Sequence, residues 1–158
     1  MLMIMPLLSL LFTGAIFGFF FAWVCSTMWG LDATDPAVAI QAMQAMNASV
    51  LNLVFATVFF GTPVVLALTA FVVRAQSGTA ALAFLAAALV YGLGGLVLTM
   101  AVNVPMNQAL AAIPVPADPA EAKRIWTEFS GRWQFWNQIR TVASGLALLL
   151  AGWATLQL

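Results

Sequence analysis

Four long apolar stretches run through this chain, and short polar runs separate them. The first, about residues 2–28, has almost no polar interruption. Asp32 to Pro36 reads as a polar turn that ends it. Asp35 followed by Pro36 predicts a helix start: the aspartate accepts N–H bonds of the first turn, and proline at the next position has no N–H to leave unpaired. A helix from Pro36 to Val73 would be roughly 57 Å long, against about 30 Å for a hydrocarbon slab. Its first part, marked by Gln41, Gln44 and Asn47, therefore projects beyond the slab or lies along its surface. The span proper covers about residues 50–73, with Asn52 near one end. Gly61-Thr62-Pro63 predicts a kink, because Pro63 has no N–H for the Phe59 carbonyl.

Arg74 to Thr79 reads as a tight turn, and a third span covers about residues 80–102. Gly92, Gly94 and Gly95 lie near its middle, where small residues let another helix or a flat ligand reach the backbone. Gly14 and Gly18 form a Gly-x-x-x-Gly pair on the first span, open to the same reading or to none. Pro114, Pro116 and Pro119 make about Gln108–Ala120 a loop. Asp118 caps a new helix at Pro119, with Glu121 three residues on as in a capping box. That helix continues as a fourth span, about residues 138–157. The expected architecture is all-α: one integral membrane domain over residues 1–158, a four-span transmembrane helical bundle with a juxtamembrane helical extension before span two and another before span four.

The approach to span four, Trp126–Thr141, carries the sharpest pattern. At 100° per residue, Trp126, Phe129, Trp133, Trp136, Asn137 and Arg140 fall within roughly one 100° arc. Lys123, Arg124, Glu128, Arg132, Gln134 and Gln138 fall mostly outside it. One face is thus aromatic and ends in an amide and a guanidinium. Asn103 and Asn107, four apart around Pro105, share a second face, which Thr99 extends toward the apolar interior.

Composition sets the solvent. The chain has 158 residues, is 64% hydrophobic and only 6% charged, where a soluble domain carries about 25% charged residues. Lipid is the expected surrounding for most of it. The apolar N-terminal stretch is too long for a cleaved signal and has no basic residues ahead of it, so it reads as a retained span. Net charge is zero, and nothing points to nucleic acid. Cys25 stands alone and there is no histidine, so no redox pair, metal set or neutral-pH base is visible and no cofactor is expected. Asp32, Asp35, Asp118 and Glu121 all fall in turns, where solvated capping is their expected role.

Each candidate residue keeps an alternative. Arg140 either snorkels to headgroups or faces inward as a fixed cation. Trp133 and Trp136 serve an interfacial belt or an internal wall. Trp126 and Phe129 fit that wall or the buried side of a surface-lying helix. Asn103 and Asn107 either hold helices together or meet a ligand.

The Gly/Phe-rich first span, AMQAMNASVLN before span two, TMAVNVPMNQAL ending span three, and W-x6-W-x2-WN-x2-RT leading into span four carry a resemblance. The chain resembles bacterial members of the DUF1772 family of small four-span membrane proteins, whose fungal relatives include anthrone oxygenases. That resemblance implies a bacterial cytoplasmic membrane location. It also implies cofactor-independent oxidation of an anthrone to an anthraquinone by dioxygen. Asn103, Asn107, Trp133, Asn137, Arg140 and Thr141 are the positions it singles out.

Two functions follow. In the first, a flat lipophilic phenol stacks on Trp133 and Trp136, with Thr99, Asn107, Trp126, Phe129 and Thr141 completing the wall. Arg140, Asn137 and Asn103 stabilise its oxyanion, and the electron-rich carbon reacts with dioxygen. In the second, the same face binds a lipophilic molecule or a partner helix without turnover.

Overall fold

A computed structural model describes residues 4–158 as helices joined by short turns, with no strand among the described residues. Residues 2 and 3, where the first span is expected to begin, lie outside the described residues. Five continuous helices follow. They are α1 (Ile4–Asp32), α2 (Pro36–Ser49), α3 (Leu53–Val73), α4 (Gly78–Ala111) and α5 (Pro119–Thr155). Three of them, α1, α3 and α4, are long and apolar enough to cross a membrane.

The expected caps form. Asp35 accepts from the Ala37 and Val38 N–H groups, and Asp118 from Ala120. Glu121 does not close a capping box. Arg124 takes its carboxylate at 2.7 Å and that of Glu128 at 2.8 Å. This bond holds the Glu121 carboxyl below its ordinary value.

Two boundaries differ from expectation. The single helix over residues 36–73 is broken at Val50–Asn52. The Asn52 side chain accepts from Phe55 N–H and donates to the Ser49 carbonyl, satisfying both helix ends at once. The loop expected from Gln108 begins only at Ala112, since α4 continues through Pro105. Gln44 of α2 caps that late end, donating to the Leu110 and Ile113 carbonyls at 2.9 Å each.

Three π turns interrupt the long helices, at Trp23–Thr27, Gly92–Val97 and Thr99–Asn103. The last directly precedes the Val104-Pro105 step. A wider turn absorbs the missing proline N–H without ending the helix.

Two apolar clusters form. One gathers Ile16 and Phe20 of α1, Phe59 and Leu66 of α3, Phe84 and Tyr91 of α4 and Ala147–Ala154 of α5. The other gathers Trp23 and Met28 of α1, Ile40 and Met43 of α2, Leu110 of α4 and Ile125–Trp133 of α5. Between them along α4 and α5 lie Thr99, Asn103, Asn137, Arg140 and Thr141, all buried. The glycines divide by role. A Cβ at Gly94 would stand 2.6 Å from the Ala143 Cβ, so α4 and α5 meet backbone to backbone there. A Cβ at Gly14 or Gly18 meets nothing within 4 Å, so among the described residues that pair packs against no helix.

Pro63 sits inside α3, and the Phe59 carbonyl it leaves without a helical donor accepts the Tyr91 hydroxyl at 2.8 Å. Tyr91→Phe orphans that buried oxygen and is expected to destabilise the bundle by about 1–3 kcal/mol. Reversible unfolding in mixed micelles measures it. No change in midpoint would mean that another donor reaches Phe59.

Candidate functional site

The aromatic face of α5 points inward. Trp126 is 5% exposed, Phe129 8%, Trp133 1%, Asn137 1% and Arg140 5%. Its two buried indoles fasten α5 to its neighbours. Trp126 Nε1 donates to Asp32 Oδ1 at 2.9 Å, and Trp133 Nε1 to Asn107 Oδ1 at 2.8 Å. Asp32 also accepts from Ser130 Oγ at 2.7 Å and Gln134 Nε2 at 2.9 Å. Asp32 is exposed, as expected of a turn residue, and in addition ties α5 to the end of α1. It ends α1, where the helix dipole disfavours a carboxylate, and three donors from α5 offset that.

Deeper along α5 stands the cation. Arg140 Nε donates to Asn137 Oδ1 at 2.9 Å, and Nη1 to Thr99 Oγ1 at 3.3 Å. Its guanidinium carbon lies 4.3 Å from the Phe20 ring centre and 5.0 Å from that of Trp133. These faces attract a cation more strongly once water is excluded. Asn137 Nδ2 donates to the Phe20 carbonyl at 3.3 Å, so α1 orients the amide that orients the arginine. Thr99 donates its own proton to the Gly95 carbonyl, which leaves its oxygen lone pairs for Arg140.

No carboxylate pairs with Arg140 among the described residues. Asn103, four residues beyond Thr99 at the end of the same π turn, is fully buried. Neither its amide nitrogen nor its oxygen has a hydrogen-bond partner. The site thus holds a cation without a counter-anion and an amide without a bond, in a region with little water to supply either.

Thr99, Trp133, Asn137 and Arg140 come together, and Asn107 joins through Trp133. Phe129 stacks on Trp133 at 6.5 Å and Trp126 follows it at 5.8 Å, so these two rings reach the centre only through Trp133. Trp136 is half-buried and meets Phe135 edge-on at 5.2 Å. Thr141 donates to the Asn137 carbonyl of its own helix. The sequence reading missed two α1 residues: Phe20, which contributes a ring and a carbonyl, and Trp23, whose ring lies 5.0 Å from that of Trp133. Both sit in a run of aromatics where nothing distinguishes inward from outward.

Two outward-opening hollows lie beside this centre. One, about 680 Å³, is bounded by α1, the end of α2 and the start of α3. The other, about 380 Å³, lies between α1 and α5, with Thr141 on its wall. Neither is lined by Arg140, Asn103 or Asn137.

Asn103→Leu replaces two unpartnered polar atoms by an apolar group of similar size. It is expected to leave stability unchanged or raise it by about 1 kcal/mol, measured by unfolding in mixed micelles. A loss of similar size would mean that Asn103 is bonded in the folded protein.

Comparison with known proteins then gives a family. A model described as anthrone oxygenase matches residues 51–150. No curated protein matches, and no solved structure does. The matched segment holds α3, α4 and most of α5, including Thr99, Asn103, Asn107, Trp133, Asn137 and Arg140. It covers more than half of the chain, and with its membrane-crossing helices the chain is a transmembrane member of the anthrone oxygenase family.

Proposed function

We propose that the buried Arg140 centre binds a lipophilic aromatic compound carrying an ionisable oxygen and promotes its oxidation by dioxygen without a cofactor. The observation that carries this reading is a buried guanidinium with no carboxylate partner among the described residues, bonded to Thr99 of the π turn that ends in the unbonded amide of Asn103. An oxyanion supplies what both lack: a negative charge and an acceptor.

The chemistry of an anthrone-like substrate suits that environment. Loss of one proton from its methylene group gives an enolate whose charge rests on oxygen. Arg140 stabilises that charge, held in place by Asn137 and Thr99, while Asn103 donates a further hydrogen bond. The carbanion carbon then adds dioxygen to give a hydroperoxide. Loss of water converts it to a carbonyl, so each substrate and dioxygen yield one quinone and one water. Among the described residues no carboxylate or imidazole contacts the centre, so the first proton passes to a water molecule that enters with the substrate. Trp133 with Asn107 forms the aromatic wall. Trp126, Phe129, Trp136 and Thr141 support that wall from further along α5.

The same lack of a protein base favours a second reading, in which the centre binds such a molecule or a partner helix without turnover.

The proposal includes a four-span bundle forming one domain. The C-terminal part of α5, from Thr141, carries no charged side chain. It packs in the same apolar cluster as α1, α3 and α4. The polar groups that dilute its hydropathy, Arg140, Thr141 and Ser144, are buried rather than lipid-facing. The resemblance to bacterial proteins supports a cytoplasmic-membrane location.

Arg140→Gln is expected to lower anthrone-dependent oxygen uptake by purified protein by about 10²-fold or more, and Arg140→Lys by less. Uptake equal to wild type in Arg140→Gln would remove the guanidinium from the chemistry. Binding without uptake in wild type would select the second reading.

A further inference from the structure

The centre is closed: Asn103, Asn137 and Trp133 are at most 1% exposed. A ligand that reaches Arg140 needs a passage, and a lipophilic one arrives through lipid. Among the residues that line the larger hollow, Phe19 and Trp23 each pack on a ring that faces Arg140, Phe19 edge-on to Phe20 at 5.8 Å and Trp23 against Trp133. Trp23 lines the larger hollow, and its ring lies 5.0 Å from that of Trp133, tilted by 56°. Trp133 in turn is one of the two rings against the guanidinium.

We infer that the hollow between α1 and α3 is the receiving site for the neutral aromatic ligand, and that the Trp23 ring is the partition it passes to reach Arg140. This rests on the proposed function, since it assumes that the centre takes such a ligand. Three features favour a flat aromatic occupant. Phe19, Trp23 and Phe55 supply ring surfaces on the walls, with Phe19 and Phe55 4.9 Å apart. The volume of about 680 Å³ is that of a small-molecule site. Ser49 and Asn52, at the break between α2 and α3, line one rim, where the Asn52 amide keeps one N–H and one lone pair beyond its two capping bonds for a single polar tip. Trp23 also stands at an irregular point of α1. It is the first residue of a π turn, closed by the Met28 N–H bonding the Trp23 carbonyl five residues back, and such turns recur where helices serve function.

The test uses stopped-flow energy transfer from the protein's tryptophans to anthrone, with the full chain in phosphatidylcholine nanodiscs. Trp23→Ala is expected to raise both association and dissociation rates by about tenfold while the equilibrium constant moves less than about threefold, as removal of a barrier requires. Ala15→Trp, at an exposed wall position, is expected to slow association by about tenfold without disturbing the centre. Arg140→Gln is expected to weaken equilibrium binding. A Trp23→Ala variant that changes dissociation alone would make Trp23 a stacking wall and overturn the passage. Unchanged association in Ala15→Trp would make the hollow a crevice filled by lipid chains and overturn it too. Both results leave the reading of Arg140 standing, whereas absence of anthrone binding by wild type removes that reading and the passage together.

Discussion

A guanidinium held inside a lipid-embedded bundle without a carboxylate is the constraint on which this structure turns. An isolated charge buried away from water costs at least several kcal/mol unless it is solvated by something else. Here the protein supplies that solvation piecemeal. An amide oxygen, a hydroxyl and two aromatic faces surround Arg140. Each contact needs a helix at a particular distance. Thr99 reaches the guanidinium because Gly94 lets α4 lie against Ala143 of α5. Phe20 reaches it because α1 packs along α5, fastened where Asp32 collects donors from Trp126, Ser130 and Gln134. The apolar clusters on either side keep water out, which strengthens every one of these contacts. The solvation stops short of complete, and the unbonded Asn103 marks where it stops.

Much of this was legible in the residues. The low charge and long apolar runs set the solvent, and the 3.6-residue spacing on α5 identified the inward face from Trp126 to Arg140. Asp35, Asp118 and their following prolines gave two helix starts, because capping is local chemistry. What was hidden depends on contacts between distant residues. Asn52 breaks the helix by bonding both to Ser49 and to Phe55, a choice that the apolar pattern around it conceals. Asp32 looks like any turn aspartate until α5 brings three donors to it. The aromatics of α1 have no polar alternation to show which ring faces inward, so Phe20 and Trp23 could not be separated from Phe21. The π turns were invisible for a related reason. They shift the helical phase by a residue, and a pattern without polar markers does not reveal a phase shift.

The buried charge and the larger hollow are built by different helices in this fold. Thr99, Asn103, Asn137 and Arg140 lie on α4 and α5, within the segment that matches the family. The rings that bound the larger hollow lie on α1 and α3, and Phe19 and Trp23 fall outside that segment. A substitution at Ala15 or Phe19 therefore reshapes the hollow without touching a bond to the guanidinium. A substitution at Thr99 or Asn137 disturbs the charge without altering the hollow. Phe20 and Trp23 join the two halves: one places a ring and a carbonyl at the cation, the other a ring between cation and hollow. α1 is thus more than an anchor in this arrangement. It supplies a ring and a carbonyl to the charged centre and most of one wall to the larger hollow.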